Sequence, residues 1–295
     1  EGIGKRRTAR VLARTLLCAE AGDHPCGHCA SCRTMAAGVH PDYFETAPEA
    51  RGKSAAMIRT EAVRDILVAA SGTPVQSSRR IILIDGADCM NETAANRLLK
   101  TIEEPTGEVL FLLVTSAYDA VLPTIRSRAV CIAFGALPRA EIAAVLTERG
   151  AENAEAIAAL SGGSLGRALA LAAEGLALRD EALTLLLRLR TLGIEDIWAC
   201  AEALGARTHA ERTAWIGFLQ MALRDLLLLS EDGASDALCY IDRRAELAAL
   251  CAKMTHADIF ALMEETRRLA QRFAANVNPA LQIEAFLLRA RKQFV

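Results

Sequence analysis

The chain has 295 residues, of which 52% are hydrophobic and 4% aromatic, and its formal net charge is -2. That length predicts two or three domains, and an apolar set made mainly of Ala and Leu favours helices over a β-sandwich. A near-neutral balance, with pI about 6.3, excludes a global field that would draw the chain onto nucleic acid, and no apolar run approaches the roughly 20 residues that span a bilayer.

The chain opens on Glu1-Gly2-Ile3-Gly4-Lys5-Arg6. This reads as the second half of a phosphate-binding loop, in which Ser or Thr should follow the Lys to hold the nucleotide's magnesium. Arg6 fills that slot and offers no ligand oxygen. A helix over 5–20 is predicted to follow the Gly-rich turn. Because the chain begins inside the motif, a preceding strand is expected to be missing. Lys5, Arg6, Arg7, Arg10 and Arg14 form a basic stretch, either a phosphate contact or a solvated helix face.

Residues 22–56 are rich in Gly, Pro and Cys and read as loop. Within them Cys26-Gly-His-Cys29-Ala-Ser-Cys32 gives two overlapping C-x-x-C steps, and Cys18 lies upstream at the end of the first helix. Four thiolates can surround one zinc tetrahedrally, and such a closed site is structural. An iron–sulfur cluster, a redox dithiol, or a site using His28 in place of Cys18 are the rivals. The other five cysteines, Cys89, Cys131, Cys200, Cys239 and Cys251, sit on apolar segments and read as core fillers. Nine cysteines could suggest disulfides, but a chain of this size and composition reads as cytoplasmic, so reduced thiols and metal ligation are expected.

Arg80 to Asp85 is a short apolar run ending in acid, the pattern of a buried parallel strand. Asp85 takes the position of a Walker B acid. The Glu expected after it is replaced by Gly86, and Asp88 is displaced by two residues. Asn91 to Glu104 is predicted helical and stops at Pro105. A second buried strand is predicted over 109–115 and a third over Val130 to Phe134. Strands alternating with helices argue for a parallel α/β sheet. Between the second and third runs lies Thr124-Ile125-Arg126-Ser127-Arg128. A guanidinium there can reach a neighbouring subunit's γ-phosphate, or can be a solvated pair beside Glu103 and Glu104.

After Phe134 the strand signal ends. Residues 139–173 read as a small helical unit interrupted by Ser161-Gly-Gly-Ser164, with Ser164 capping a helix that carries Arg167 in its first turn. Arg167 either senses a γ-phosphate in cis or is structural. From about 177 the chain reads as helical to its end, punctuated near Gly193, Gly205, Gly233 and Asn276-Val-Asn-Pro279.

Together these residues resemble the delta-prime family of bacterial DNA polymerase III clamp-loader subunits, within the AAA+ superfamily. The resemblance rests on Glu1 to Lys5, Pro25 to Cys32, Ala36-Ala-Gly-Val-His-Pro-Asp42, Ala94 to Pro105, Pro123 to Arg128 and Asn276 to Glu284. It implies an AAA+ α/β domain over 1–134 with a zinc module about 18–45, a helical lid over 135–176, and a helical collar over 177–295. It implies a non-hydrolysing stator that lends Arg128, beside Ser127, as an arginine finger to a neighbour's ATP. Ala129 stands where the family often has Cys. Gly2, Gly4, Lys5, Arg6, Asp85 and Arg167 then outline a degenerate nucleotide site, with ATP either absent or held silently. The implied partners are the gamma/tau and delta subunits and, through the complex, the sliding clamp and primer-template DNA. No catalysis of its own is expected, although such a subunit belongs to a nucleotidyltransferase holoenzyme. The rivals are an ATP-hydrolysing subunit of gamma/tau type and a zinc-knuckle nucleic-acid-binding module.

Overall fold

The computed structural model describes residues 2–20, 22, 24–49, 56–105, 107–232, 237–273 and 278–292. Glu1, Gly233, Asn276 and Val277, named above, lie outside them. The chain divides into two units, Glu1–Gly135 and Ala136–Val295.

The first unit is built on a parallel sheet. Its elements in order are α1 (Lys5–Leu17), α2 (Ala30–Ala36), β1 (Tyr43–Thr46), α3 (Thr60–Ser71), β2 (Arg80–Asp85), α4 (Glu92–Glu103), β3 (Val109–Val114) and α5 (Pro123–Arg126). The strands run in the order β1-β2-β3, with Tyr43 beside Ile81 and Arg80 beside Val109. Ile81 to Ile84 of β2 are all buried because helices cover both faces. Ile81 packs with Ala13 and Leu17 of α1, whereas Ile82 and Ile84 pack with Val63 and Ile66 of α3 and Leu98 of α4. Alternation along the strand thus assigns each side chain to its own helix layer.

Two features depart from expectation. β1 lies inside the segment read as loop. It has only four residues, all half-buried, and carries Glu45, so no apolar run announces it. Conversely, Val130 to Phe134 forms no strand. Val130 is 93% and Ile132 73% exposed, and β1 rather than this segment is the other neighbour of β2. Apolar composition makes a strand only where a backbone partner and a covering layer exist.

The second unit is helical. It comprises α6 (Arg139–Glu148), α7 (Ala154–Leu160), α8 (Leu165–Glu174), α9 (Ala177–Arg188), α10 (Ile194–Gly205), α11 (His209–Glu231), α12 (Arg244–Cys251), α13 (His256–Phe273) and α14 (Pro279–Lys292). Ser164 accepts the Arg167 backbone N–H and starts α8 as the sequence predicts. A capping box between Thr208 and Glu211 starts α11. One apolar cluster draws on helices from α6 to α14, including Leu146, Leu186, Trp215, Leu226 and Phe286. No helix among the described residues is long and apolar enough to cross a membrane.

Candidate functional site

Helix α1 ends at Leu17 because Cys18 turns extended, and Cys29 caps the start of α2 by accepting the Cys32 backbone N–H on its sulfur. These two ends bring four thiols together. The Sγ atoms of Cys18, Cys26, Cys29 and Cys32 all lie within 4.8 Å of one another. Cys18 and Cys29 are 4.0 Å apart at sulfur, and Cys26 and Cys32 3.9 Å. A tetrahedral zinc tetrathiolate, with Zn–S about 2.3 Å, requires S···S separations of about 3.8 Å. The donor set therefore fits a single zinc ion, whose bound chemistry would be structural cross-linking alone. An iron–sulfur cluster would hold its sulfurs farther apart. His28 is turned away, with Nδ1 2.9 Å from the Cys26 carbonyl oxygen.

The thiols are electrostatically unequal. The Cys26 and Glu20 backbone N–H groups and the nearby His24 hold Cys18 down to about 5. Backbone N–H groups of Ala19 and Cys32 also lower Cys29, while burial pushes Cys32 up to about 12. Two thiols held low beside one pushed up form a site that a divalent cation would complete by drawing off the remaining protons.

A second constellation surrounds the start of α1. Gly4 adopts φ 93 ahead of the helix, a left-handed turn that favours glycine. An open cleft of about 490 Å³ follows, lined by Gly2, Gly4, Lys5, Arg6, Asp85 and Asp88 among others. Arg6 does not point freely into it. Its guanidinium lies 2.7 Å from Glu45 of β1 and 3.3 Å from Asp85 of β2. Arg10 reaches the same Glu45 through two bonds of 2.8 Å. Burial pushes Glu45 up, but the contacts from Arg10, Tyr43 and Arg6 prevail and hold it below the usual carboxylate range. Arg6 thus supplies a positive charge beside Asp85.

Gly86 is left-handed at φ 77, and a Cβ built there would stand 2.6 Å from the Pro48 side chain. A side chain at this position would need the backbone or Pro48 to shift. Asp88, two residues on, is held by neighbouring donors. Thr115 donates to Asp88 at 2.7 Å and Ser116 at 3.3 Å. Burial raises Asp88 while these donors lower it further, leaving it ionised and occupied.

Arg128 follows α5 and is about two-fifths exposed. Its Nε lies 2.5 Å from Glu103 at the end of α4, and its Nη1 donates to the Thr124 carbonyl at 2.9 Å. Ser127 closes the turn and accepts a further bond from Arg128 at 3.1 Å. Arg126 pairs instead with Asp119 at 2.9 Å and lies over the Tyr118 ring. Arg167 belongs to the second unit, where its guanidinium lies 3.8 Å from the Met221 sulfur. The structure thus gathers Gly2, Gly4, Lys5, Arg6 and Asp85 in one cleft and the four cysteines in another cluster, with Arg128 apart from both. Sequence reasoning missed Glu45, the shared partner of Arg6 and Arg10. An acid at the third position of an alternating Tyr-Phe-Glu-Thr run was the available signal.

Residues 1–138 match the family model described as "DNA polymerase III, delta subunit". The DNA polymerase III subunit delta′ of Pseudomonas aeruginosa is 42% identical over 168 residues, covering 55% of this chain and 50% of that protein. The delta′ subunit of Escherichia coli is 37% identical over 176 residues, 58% of this chain and 51% of that one. A gamma/tau subunit of Mycobacterium tuberculosis is 31% identical over 232 residues, 75% of this chain and 39% of that protein. The chain spans about half the length of the curated delta′ relatives it matches. By this match and these identities the chain is similar, over part of its length, to the delta-prime subunits of DNA polymerase III.

Proposed function

We propose that the chain is a non-hydrolysing clamp-loader subunit that presents Arg128 to the ATP of a neighbouring motor subunit. The observation that carries this reading is the Arg6 guanidinium bound to Glu45 and Asp85. A cation fixed to the chain neutralises the acids that would otherwise recruit magnesium, so the cleft lacks the metal that bridges nucleotide phosphates. Gly86 removes the second requirement, a carboxylate that polarises the attacking water. What the chain retains is an accessible guanidinium after α5. Such a group stabilises charge that develops on a transferred phosphoryl when it is delivered from a neighbour.

In this reading Gly2, Gly4, Lys5, Arg6 and Asp85 are a degenerate nucleotide site, and Arg167 is its former sensor. Ser127 shapes the turn that presents Arg128. Zinc held by Cys18, Cys26, Cys29 and Cys32 pins the module over 18–45. Residues 135–176 serve as the lid and 177–295 as the collar that joins gamma/tau and delta subunits. Together the ring opens a sliding clamp for primer-template DNA.

Arg128→Ala in a loader reconstituted from its subunits is the test. DNA-stimulated ATP hydrolysis should fall about tenfold or more, since an arginine finger is worth about 10³–10⁵ at a single site. Unchanged turnover would remove the role. A second reading, an ATP-hydrolysing subunit of gamma/tau type, draws on the match to the mycobacterial protein across 75% of the chain. Micromolar, magnesium-dependent ATP binding with turnover by the isolated chain would favour it.

A further inference from the structure

Three of the four clustered cysteines come from one short segment, and Cys29 and Cys32 are tied by an N–H···S bond of 3.3 Å. Cys18 comes from elsewhere, the end of α1. Its direction depends on the peptide that joins it to Leu17, and the carbonyl of that peptide is a last-turn acceptor without a partner inside the helix.

Two hydroxyls from distant elements converge on this oxygen. Ser31 of α2 donates to Leu17 O at 2.6 Å, and Ser77, in the loop before β2, donates to it at 3.1 Å. Both hydroxyls are themselves held. The Asp42 backbone N–H donates to His40 Nδ1 at 3.0 Å, which leaves the proton on Nε2 to be given to Ser31 Oγ at 2.7 Å. The Asp42 carboxylate accepts the backbone N–H groups of Val75, Gln76 and Ser77 at 2.7, 2.7 and 2.8 Å, fixing the loop that carries Ser77. Ser31, His40 and Asp42 are all buried. Side chains that bond one another in a closed core need not meet at any particular atom. These meet at the carbonyl preceding the outlying thiol.

We infer that Ser31 and Ser77, backed by His40 and Asp42, are positioning residues that aim Cys18 at the metal and so join the cysteine module to the sheet. Hydrogen bonds beyond the ligands set ligand direction in metal sites, and their loss typically weakens affinity about 10–100-fold. The inference rests on the zinc reading above.

The test uses the full chain carrying Ser31→Ala, Ser77→Ala and both, with Cys18→Ser as the three-thiolate reference. Zinc affinity is read by chelator competition, and thiolate number by the charge-transfer bands of the cobalt-substituted protein. The double variant should lose about tenfold or more in zinc affinity, and its cobalt spectrum should move toward that of Cys18→Ser. Ser77→Thr, which keeps the hydroxyl, should retain the wild-type spectrum. A folded double variant with wild-type affinity and a four-thiolate spectrum overturns the inference while leaving the zinc reading intact. A wild-type chain that takes up neither metal overturns both. If the double variant does not fold, Ser77→Ala alone decides, because its side chain lies in a half-exposed loop; an unchanged spectrum and affinity there refute the role.

Discussion

The Arg6 guanidinium lies 3.3 Å from the Asp85 carboxylate, joining the first turn of α1 to the last residue of β2. In the reading proposed above, these are the two positions that a nucleotide motor bridges with a hydroxyl, a water shell and magnesium, and the attached cation takes over the electrostatic part of that bridge and none of its coordination chemistry.

Equilibrium titration of the isolated chain with ATP and magnesium should show no micromolar binding. Arg6→Ala should cost about 1 kcal/mol or less in stability, because the ion pairs of Arg6 are partly exposed and Arg10 still neutralises Glu45. Tight, magnesium-dependent binding by the unaltered chain would contradict the account of the cleft.

Gly86→Ala should destabilise the first unit by about 1–3 kcal/mol in thermal or urea melts, through left-handed strain and the contact with Pro48. Gly86→Glu should not install hydrolysis, since its carboxylate would enter with a displaced backbone. A Gly86→Ala variant as stable as the parent would show that the loop yields freely.

Glu103→Gln releases the Arg128 guanidinium from its partner in cis. Both side chains are about two-fifths exposed, so the pair should be worth about 1 kcal/mol or less. ATPase activity of a reconstituted loader should stay level or rise no more than about fivefold. A large fall would mean that Glu103 itself orients the finger.

Metal analysis of protein prepared without chelators should give about one zinc per chain. Chelation should raise hydrogen exchange over 18–45 before it affects the second unit, because that segment has little apolar core of its own. Iron in place of zinc would refute the assignment.

Acid should weaken the first unit through Glu45 and Asp42. In Asp42 burial raises the pKa, but the three N–H donors of residues 75–77 lower it further, as Arg10 and its neighbours do for Glu45. A carboxylate depressed in the fold binds its proton more weakly there than in the unfolded chain. Its stabilisation is complete above the ordinary range of about 4–4.5 and is lost as pH falls through the folded value. Melts of Glu45→Gln between about pH 5 and 3 should have a shallower acid limb than the parent; an unchanged slope would remove Glu45 from the argument.

The sequence announced β2, α4 and β3 almost to the residue, since buried parallel strands and a capped helix have strong local signatures: Ile81 to Ile84 unbroken, Asn91 before the helix, Pro105 after it. Cys18 and the C-x-x-C steps were equally legible, because ligand spacing is a local property. β1 was invisible because its stability comes from pairing with β2 and not from its own four residues. The partners of Arg6 and Leu17 were unreadable for a related reason. Glu45 and Ser77 lie 39 and 60 positions away, and only the folded sheet brings them close, whereas Glu103 beside Arg128 was one of the two readings the sequence offered. Val130 to Phe134 misled because its composition is that of a strand while its surroundings are not.

That last segment has a practical consequence. Val130-Cys131-Ile132-Ala133-Phe134 carries no charge, and its three large apolar side chains alternate along the chain. Uncharged, β-prone stretches left uncovered are sticky templates for self-association. Preparations of residues 1–135 alone should therefore lose monodispersity as concentration rises, and a single Ile132→Lys should extend their shelf life without touching a cysteine of the metal cluster or a residue of the cleft.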